Sequence, residues 1–521
     1  KPPLVYWIQG VSYSIFGVHE FSARLPNALA TVGWLAFLYA IALRLGSPRQ
    51  GLVAVGVLAT SLGFFIFSHL IMPEPFLGLF LSAAVWCLIG AWQEPRRRGA
   101  WFAGAWAAMA CGTMSKGLHG ALYPMLIGAS CAAIWRDTRP FWKSFFTSRA
   151  IWLFLALLVP WYVAIESRFP GVCWDQLVNE QIGHTLDRRY PNDSEPVSSW
   201  IFWFEHLGFF LPWTVFLPAA FVEWRAGLMR PRDRFAVRIL TLWLIITAVS
   251  VAFSARQDYY TMTSWGALAL FLALPWSEGR SSRAWILAPI VLLIAAGIGG
   301  FFGAAVLEHK LAGLPIQVTP TSERDHITDA IQGFSFGSWL RLMPLMKATG
   351  LALAVSGAAA AILIRQERRH AAALVFSLGM LIPLAMACLG LSQMSEFFSL
   401  ARIASRINPL EAASSRPPLV IYEGDSHEAA SLFFYLNGRV CWTGVPLNQD
   451  YATRKLGIGL ELYLSRAQVR QAWASARPVV LITEELKAPT WTELGNPAQV
   501  ARSGTRLALA NPAAVAALGR P

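Results

Sequence analysis

The feature that most constrains this chain is a series of apolar runs, each long enough to approach the thickness of a membrane. A helix needs roughly 20 apolar residues to cross a hydrocarbon core of about 30 Å. Only 14% of the residues are charged, whereas a soluble domain usually carries about 25%. We therefore predict an all-α polytopic membrane bundle of about twelve helices, with spans near residues 24–45, 50–70, 74–93, 100–115, 118–135, 149–166, 203–222, 236–254, 258–276, 283–306, 343–365 and 370–391.

Positive charge is distributed unevenly over the predicted loops. One set of alternate loops carries 19 Lys and Arg residues, whereas the short loops of the other set carry only Lys116 and Arg256. Cytoplasmic loops of membrane proteins carry such an excess. The asymmetry predicts that the start of the chain, the segments 167–202 and 307–342, and the C-terminus all lie on the outer side. Nucleic-acid binding would instead require a basic face with interleaved aromatic residues.

From about residue 393 the sequence changes character. Four segments have the patterns of a soluble domain: buried strands at 417–422 and 478–483, an amphipathic helix at 465–475, and a further strand or hairpin within 431–444. We therefore predict two domains. A transmembrane domain at residues 1–392 precedes a small α/β domain at residues 393–521 on the outer side.

The familiar sequence motifs of metal sites and of phosphate-binding loops are absent. The chain contains no HExxH or CxxC motif and no Walker loop. Because no glycine-rich loop is available to hold phosphates, we do not expect a nucleotide bound on the cytoplasmic side to be the donor of a transfer reaction.

Polar residues instead gather at the predicted outer ends of the helices. Lys1 and Tyr6 lie in the opening KPPLVYW, where the lysine could pair with a phosphate or belong to an interfacial belt. Glu74 begins a predicted helix, which favours a carboxylate, but an acid at membrane depth is by default a functional candidate. Lys116 is one of only two basic residues in the short loops predicted to lie on the outer side. It is either functional or a lysine whose ammonium reaches the interface.

The long polar segment 167–202 carries two further candidates. Glu180 and His184 are four positions apart, so a helix would place both side chains on one face. That face could bind a divalent cation, a sugar or a phosphate. It could equally be a solvated surface pair.

A short outer turn at residues 255–260 holds Arg256, Tyr259 and Tyr260. A guanidinium can donate two parallel hydrogen bonds to a phosphate, and tyrosine hydroxyls add further donors. An aromatic anchor beside a local Arg256–Asp258 pair is the alternative interpretation. Taken together, the candidates are mostly phosphate-binding groups on one side, which suits a lipid phosphate with its tail in the bilayer and its head at the outer interface.

The order of several short motifs resembles one branch of the bacterial GT-C glycosyltransferases, the branch of the 4-amino-4-deoxy-L-arabinose (lipid A) transferases and related protein-mannosyltransferase-like enzymes. KPPLVYW, followed by Phe16-Gly17 and by ARLP at 23–26, is similar to the end of that family's first periplasmic loop. Further matches follow in the family's order, at Glu74-Pro75-Phe76, Met114-Ser115-Lys116-Gly117, Pro160-Trp161, Asn179-Glu180, Pro212-Trp213 and residues 253–260. The resemblance covers residues 1–276, and the later helices and tail match in layout only.

The resemblance implies a GT-C fold and transfer of a sugar from a polyprenyl-phosphate donor, at the periplasmic face of the inner membrane. The acceptor would be a hydroxyl or phosphate of lipid A, another glycan or a protein. Transfer would invert the anomeric centre and release undecaprenyl phosphate. Lys1 would contact that phosphate and Tyr6 would line its pocket, while Glu74 would be a second acidic position and Lys116 would match a lysine of the family's next outer loop.

Two departures from the family's pattern limit this interpretation. Gln181 and His184 occupy places where the branch often has His and Arg, so a metal or phosphate contact there stays open. The family's presumed catalytic aspartate lies in an Asp-Glu motif just after the first helix, and we expect it to precede this chain. The twelve predicted spans are one fewer than the thirteen that the resemblance implies.

Three other functions remain open. The main alternative is a secondary transporter or lipid flippase, although such proteins tend to have related halves and charged or broken helices near the midplane, which the sequence does not show. An oligosaccharide polymerase or ligase with a similar lipid donor is the second. A catalytically inactive scaffold is the third.

Overall fold

The computed structural model describes residues 2–183, 186, 188–190, 198–227, 234–253, 256–277, 282–312, 336–413, 417–424, 429–444 and 451–518. The chain divides into two compact units. The first comprises Lys1–Gly299 and Gly350–Leu384, and the second comprises Gly300–Thr349 and Ala385–Pro521. The domain boundary that the sequence analysis placed near residue 392 stays a prediction.

The first unit is helical throughout its described part. Its helices are α1 (Leu4–Phe16), α2 (Glu20–Arg44), α3 (Pro48–Ala59), α4 (Leu62–His69), α5 (Glu74–Gln93), α6 (Arg98–Lys116), α7 (His119–Ile134), α8 (Arg139–Phe146), α9 (Ile151–Arg168), α10 (Val172–Leu177), α11 (Ser199–Phe209), α12 (Leu217–Gly227), α13 (Arg234–Ala252), α14 (Trp265–Leu272) and α15 (Leu274–Ser277). Three long helices, α16 (Ala284–Leu311), α17 (Met343–Arg365) and α18 (Arg369–Gln393), run from one unit into the other.

The predicted membrane bundle is confirmed. Among the described residues, seven helices are long and apolar enough to cross a membrane, and the count reaches nine if each of two bent helix pairs is one span. These nine match nine of the predicted spans. The other three predictions, at 100–115, 118–135 and 258–276, fall on helices that are shorter or less apolar, and the last is interrupted by a 3₁₀ turn at Tyr260–Ser264.

The two bent pairs are joined to each other at their breaks. The first pair, α3 and α4, bends by 65°, and the second, which runs from Ser199 to Arg225, bends by 94°. At the breaks, the Leu62 N–H donates to the Leu211 carbonyl at 3.1 Å. The Trp213 indole N–H donates to the Thr60 hydroxyl at 2.9 Å. Because an unpaired backbone group is costly in an apolar environment, each break helps to satisfy the other.

Helix α5 lies in the middle of the first unit, where it packs against α2 and α6 and is buried along most of its length. Two pairs of helices, α5 with α2 and α7 with α6, approach each other closely at a glycine. A Cβ on Gly78 would lie 2.6 Å from the Trp34 ring, and one on Gly120 would lie 2.2 Å from the Gly112 backbone. The second crossing fixes the C-terminal end of α6 against the start of α7, close to Lys116.

Tryptophans fill much of this core rather than only its interfaces. The largest fully buried side chains include seven tryptophans, at positions 34, 106, 142, 213, 243, 265 and 276. Their rings make edge-to-face and stacked contacts with neighbouring phenylalanines, for example Trp106 with Phe145 at 4.8 Å between centroids. Such rings bury large apolar areas and pack with defined geometry, which gives the bundle a rigid interior.

The second unit contains the predicted small α/β domain. Its five-stranded sheet has the order β2-β1-β3-β5-β4, with strands β1 (Leu419–Glu423), β2 (Val440–Thr443), β3 (Val479–Glu484), β4 (Ala498–Ser503) and β5 (Arg506–Ala510). Strand β1 is parallel to β2 and β3, while β5 is antiparallel to β3 and β4. Short helices accompany it: α19 (Ser395–Phe398), α20 (Ala401–Ile407), α21 (Pro409–Ala413), α22 (Ala430–Tyr435), α23 (Tyr451–Leu456), α24 (Arg466–Trp473) and α25 (Pro512–Leu518).

The sequence analysis located most of this domain. Strands β1 and β3 and helix α24 lie where buried strands and an amphipathic helix were predicted. The segment 431–444 forms a helix and then strand β2, so the hairpin alternative is wrong there. The hairpin of β4 and β5 was missed because β4 is half exposed and has no apolar run.

Candidate functional site

An ion pair between Glu74 and Lys116 marks one end of the bundle, here called the Glu74 end. Glu74 is the first residue of α5 and Lys116 is the last residue of α6. The lysine Nζ lies 2.5 Å from the carboxylate Oε1, and Glu74 is only 2% exposed. A carboxylate at a helix N-terminus and an ammonium at a helix C-terminus both interact favourably with the helix dipoles. Gly117 ends α6 with a φ of +95°, a conformation that favours glycine.

The turn before Glu74 is held in place by a residue that the sequence analysis missed. Asn27, buried in α2, donates from its side-chain amide to the carbonyls of Leu70 at 2.9 Å and Met72 at 3.0 Å. Those two carbonyls belong to the segment that connects α4 to α5. Asn27 therefore fixes where α5 begins and hence where the Glu74 carboxylate lies. A buried amide inside an otherwise apolar helix was the available signal, since such groups need partners.

Two tyrosines enclose the lysine of this pair. The Lys116 ammonium lies 5.1 Å from the centroid of the Tyr259 ring and 5.0 Å from that of Tyr260. An ammonium over an aromatic face is attracted by the ring quadrupole, and the attraction grows when water is excluded. The Tyr259 hydroxyl donates to the side-chain carbonyl of Gln257. The turn at 256–260 and the ends of α5 and α6 therefore form one cluster.

The Glu74 carboxylate has one oxygen left for a further interaction. Lys116 contacts Oε1, whereas Oε2 is buried and has no hydrogen-bond partner among the described residues. A buried acceptor without a partner costs about 1–3 kcal/mol. That oxygen is therefore suited to accept a hydrogen bond from a bound substrate.

The long polar segment approaches the same cluster. Residues Val178–Gly183 form a wide helical turn, and a Cβ on Gly117 would lie 3.8 Å from the side-chain nitrogen of Gln181. Glu180 pairs with Arg189 at 2.9 Å, and Asn179 exchanges two hydrogen bonds with the backbone of Tyr190. The segment is thus folded onto itself beside the end of α6.

The other predicted residues are Lys1, Tyr6, His184 and Arg256. Lys1 and His184 lie outside the described residues. Tyr6, on α1, is 61% exposed, but its neighbour Val5 packs against Phe76 in the first turns of α5. Arg256 is half-buried in the turn that carries the two tyrosines. The predictions for all of these residues stay predictions.

A second polar group near this turn was not singled out from the sequence. Glu205 and His206 lie in α11, and Asp258 is close enough to both for their charges to interact. Glu205 Oε2 and His206 Nε2 are buried without a hydrogen-bond partner in the described part of the chain. The Glu-His pair interrupts an apolar run in the sequence, and that interruption was the signal that could have identified it.

Metal binding stays open. Among the residues that the structure describes, no three His, Cys, Asp or Glu side chains lie close enough together to hold a metal ion. Glu180, one of the two predicted ligands, is paired with Arg189, and the other, His184, is outside the described residues.

Sequence comparisons match the chain to proteins that are named as transferases of lipid-phosphate-linked sugars. Residues 1–163 match the family model described as dolichyl-phosphate-mannose-protein mannosyltransferase. The undecaprenyl phosphate-alpha-4-amino-4-deoxy-L-arabinose arabinosyl transferase of Edwardsiella ictaluri is 25% identical over 348 residues, which cover 65% of this chain and 60% of that protein. An uncharacterized protein of Aquifex aeolicus is 24% identical over 314 residues, 60% of this chain and 67% of that one. The chain thus spans about half to two thirds of the length of the curated relatives it matches.

Two solved structures share the fold over the whole chain. The crystal structure of ArnT from Cupriavidus metallidurans bound to undecaprenyl phosphate matches with a TM-score of 0.81 and 21% identity, covering 100% of this chain and 89% of that one. The apo structure of the same protein matches with a TM-score of 0.79 and 20% identity. This chain therefore has the GT-C-type fold of a polytopic membrane protein, and its sequence resembles the bacterial 4-amino-4-deoxy-L-arabinose transferases.

Proposed function

We propose that this protein is a glycosyltransferase of the inner membrane that moves a sugar from a polyprenyl-phosphate donor to a lipid A, glycan or protein acceptor. The observation that carries the proposal is the buried Glu74–Lys116 pair, enclosed by Tyr259 and Tyr260 at one end of the bundle. It combines a cation, two tyrosine rings with their hydroxyls, and a carboxylate with one oxygen that has no hydrogen-bond partner among the described residues. The resemblance to transferases named for an undecaprenyl-phosphate sugar supports the choice of donor.

The reaction would be an in-line displacement at the anomeric carbon of the sugar. An acceptor oxygen forms a bond to that carbon as the bond to the phosphate oxygen breaks, and the bonding electrons leave with the polyprenyl phosphate. A carboxylate takes the proton of the acceptor hydroxyl or stabilises the positive charge that develops on the sugar. Among the described residues, Glu74 is our candidate beside the site.

The departing phosphate needs cationic and hydrogen-bonding groups around it. Lys1, Arg256, Tyr259 and Tyr260 are our candidates, together with Tyr6 on α1. Because the Lys116 ammonium already pairs with Glu74, we assign Lys116 mainly to positioning that carboxylate. Glu180 and His184 remain candidates for a sugar or cation contact near the end of α6.

The charge asymmetry of the loops supports an orientation with the Glu74 end in the periplasm. Reaction at that face would fit a donor whose lipid tail lies in the bilayer and whose sugar is presented to the outer side. It would also explain why no nucleotide-binding motif is present, since nucleotide donors are cytoplasmic substrates.

The test is a transfer assay with membranes that contain the full-length protein and a radiolabelled polyprenyl-phosphate sugar. Acceptor-dependent release of free polyprenyl phosphate is expected, and it should fall sharply in K116A. A matched control is K347A, because Lys347 also pairs with a glutamate, Glu308 at 2.7 Å, but lies outside the cluster. Adding EDTA to the same assay tests whether a divalent cation takes part.

A transporter or flippase is the main alternative, and the two broken helices are a feature that transporters share. The same assay in sealed vesicles separates the two classes. Movement of labelled sugar across the membrane with its bond to phosphate intact would contradict the proposal. Equal turnover in wild type and K116A would instead contradict the assignment of the site.

A further inference from the structure

Five basic side chains lie together at the end of the bundle opposite to the Glu74 end. We call them the basic patch: Arg96 and Arg97 in the turn between α5 and α6, Arg136 just before α8, Arg139 at its first position, and Lys143 within it. All five side chains are exposed. Because α5 has 20 residues, the patch lies about 30 Å from Glu74 along that helix. It is therefore separate from the proposed transfer site.

Aromatic packing holds the two halves of the patch side by side. Helix α8 buries Phe141, Trp142 and Phe145 on one face. The Phe141 ring lies 5.4 Å from the Trp92 ring near the end of α5 and 5.7 Å from the Arg98 guanidinium at the start of α6. The α5–α6 turn and α8 are thus fixed against each other, although they are distant in sequence.

Helix α8 is amphipathic, and its basic face is turned away from the bundle. Its apolar face is buried against the bundle, and Arg139 and Lys143, four positions apart, share the opposite face. It also lies directly between two predicted spans, α7 and α9. A short connection between two membrane spans is expected at the level of the lipid headgroups, where basic residues meet phosphates.

The acidic residues nearby are already paired with other cations. Glu94 contacts Arg44 at 3.1 Å, and Arg44 lies between the rings of Trp86 and Trp101. Asp137 contacts Arg238 at 2.7 Å. Within the described part of the chain, none of the five patch residues is paired with a carboxylate, and Arg139 donates instead to the carbonyl of Ala132 at 2.8 Å. The patch therefore presents five positive charges without a direct carboxylate partner among the described residues.

We propose that the basic patch is a binding site for the headgroups of anionic phospholipids in the adjacent leaflet. Arginine donates paired hydrogen bonds to phosphate oxygens, and the α5–α6 turn supplies two arginines beside the two basic residues of α8. Clusters of four or more basic residues at a membrane surface attract anionic lipids, by about fivefold in affinity for each charge. The site would tie this end of the bundle to a charged lipid layer, independently of the transfer reaction.

The test is native mass spectrometry of the purified full chain titrated with phosphatidylglycerol or phosphatidylcholine. Wild type is expected to bind phosphatidylglycerol at least about tenfold more tightly. The variant R96Q/R97Q/K143Q should lose most of that preference. A charge-matched control, R49Q/R365Q/R368Q, removes three exposed arginines outside the patch and should keep it.

Three results would overturn the proposal. The first is a wild type without preference for the anionic lipid. The second is an equal loss of preference in both triple variants, which would indicate attraction to net charge and no defined site. The third uses only wild-type protein and so does not depend on the folding of a variant: a preference in nanodiscs that survives about 1 M salt would show that the charges of the exposed patch are not responsible.

Discussion

The ammonium of Lys116 and the carboxylate of Glu74 meet at 2.5 Å, although they end and begin two different helices. Each is the charge that its own helix end favours. The pair is largely buried from solvent, where a charge without its partner is energetically costly. The contribution of the pair to the stability of the protein can therefore be measured by comparing variants that change one of the two residues with a variant that changes both.

Breaking this ion pair is expected to destabilise the bundle. E74Q or K116M leaves one buried charge without its partner, which typically costs about 3–5 kcal/mol, whereas removing both charges is far less costly. Thermal unfolding of the purified full chain should therefore show large losses in the single variants and partial recovery in E74Q/K116M.

The control for that experiment is the exposed pair of Arg502 and Glu485, at 2.7 Å. E485Q is expected to change stability by less than about 1 kcal/mol, because exposed pairs contribute little. A single variant of the buried pair as stable as E485Q would show that Glu74 and Lys116 are not coupled as the structure indicates.

The ring of Tyr260 and its hydroxyl are expected to have different roles. Y260L removes the aromatic face beside Lys116 and should destabilise the protein by about 1–2 kcal/mol. Y260F keeps the ring and should retain stability, but it should raise the KM for the lipid donor if the hydroxyl binds phosphate. Unfolding and steady-state transfer measured on both variants distinguish the roles, and equal behaviour of the two variants would contradict this division.

Arg256 is expected to require its guanidinium. In R256K the charge remains but the paired hydrogen bonds to a phosphate are lost, so transfer should fall almost as far as in R256A while the thermal midpoint stays near that of wild type. Transfer assays on both variants provide the measurement. Full activity in R256K would indicate that only the charge matters, and full activity in R256A would remove Arg256 from the phosphate site.

Gly120 is expected to tolerate no side chain. A Cβ there would lie 2.2 Å from the Gly112 backbone, so G120A must push α6 and α7 apart and should lower both the thermal midpoint and transfer. A Cβ on Gly99, in the first turn of α6, would have nothing within 4 Å. G99A is the matched control and should be neutral or slightly stabilising. Similar behaviour of the two variants would argue against the close crossing.

The small domain is expected to lose stability in acid through Glu493. The hydrogen bond from Arg466 lowers the pKa of Glu493 from its ordinary value of 4.5 to about 2. Because the folded-state pKa is the lower one, the stabilisation is present above about pH 4.5 and is lost as the pH falls towards 2. The difference in unfolding midpoint between wild type and E493Q should therefore shrink between about pH 5 and about pH 2.5. R466Q should behave like E493Q, and a difference independent of pH would refute this assignment.

The fold was largely predictable because membrane helices and buried strands depend on local patterns of apolar residues. Glu74 and Lys116 could be placed at helix ends on the same side by alternation alone. Their contact could not, because it depends on the crossing at Gly112 and Gly120 and on the hydrogen bonds of Asn27. The proximity of Glu205 to Asp258 could not be predicted from the sequence for the same reason, because the two residues are far apart along the chain.

The sequence pattern also treated the segments 50–70 and 203–222 as single helices. Apolarity shows where a span lies, but it does not show where its backbone bends. The positions of the breaks follow from the structure, in which the Leu62 N–H donates to the Leu211 carbonyl and the Trp213 indole donates to the Thr60 hydroxyl.

These two hydrogen bonds join the breaks of the two helix pairs into one structural unit, here called the joint, and this has an evolutionary consequence. The buried indole N–H of Trp213 loses its acceptor when the hydroxyl at position 60 is removed, whereas Thr60, which also donates to the Gly56 carbonyl, loses one of two partners when the indole is removed. Among homologues, substitutions at these two positions are therefore expected to occur together, although 153 positions separate them along the chain. The joint would then appear in an alignment as a covarying pair.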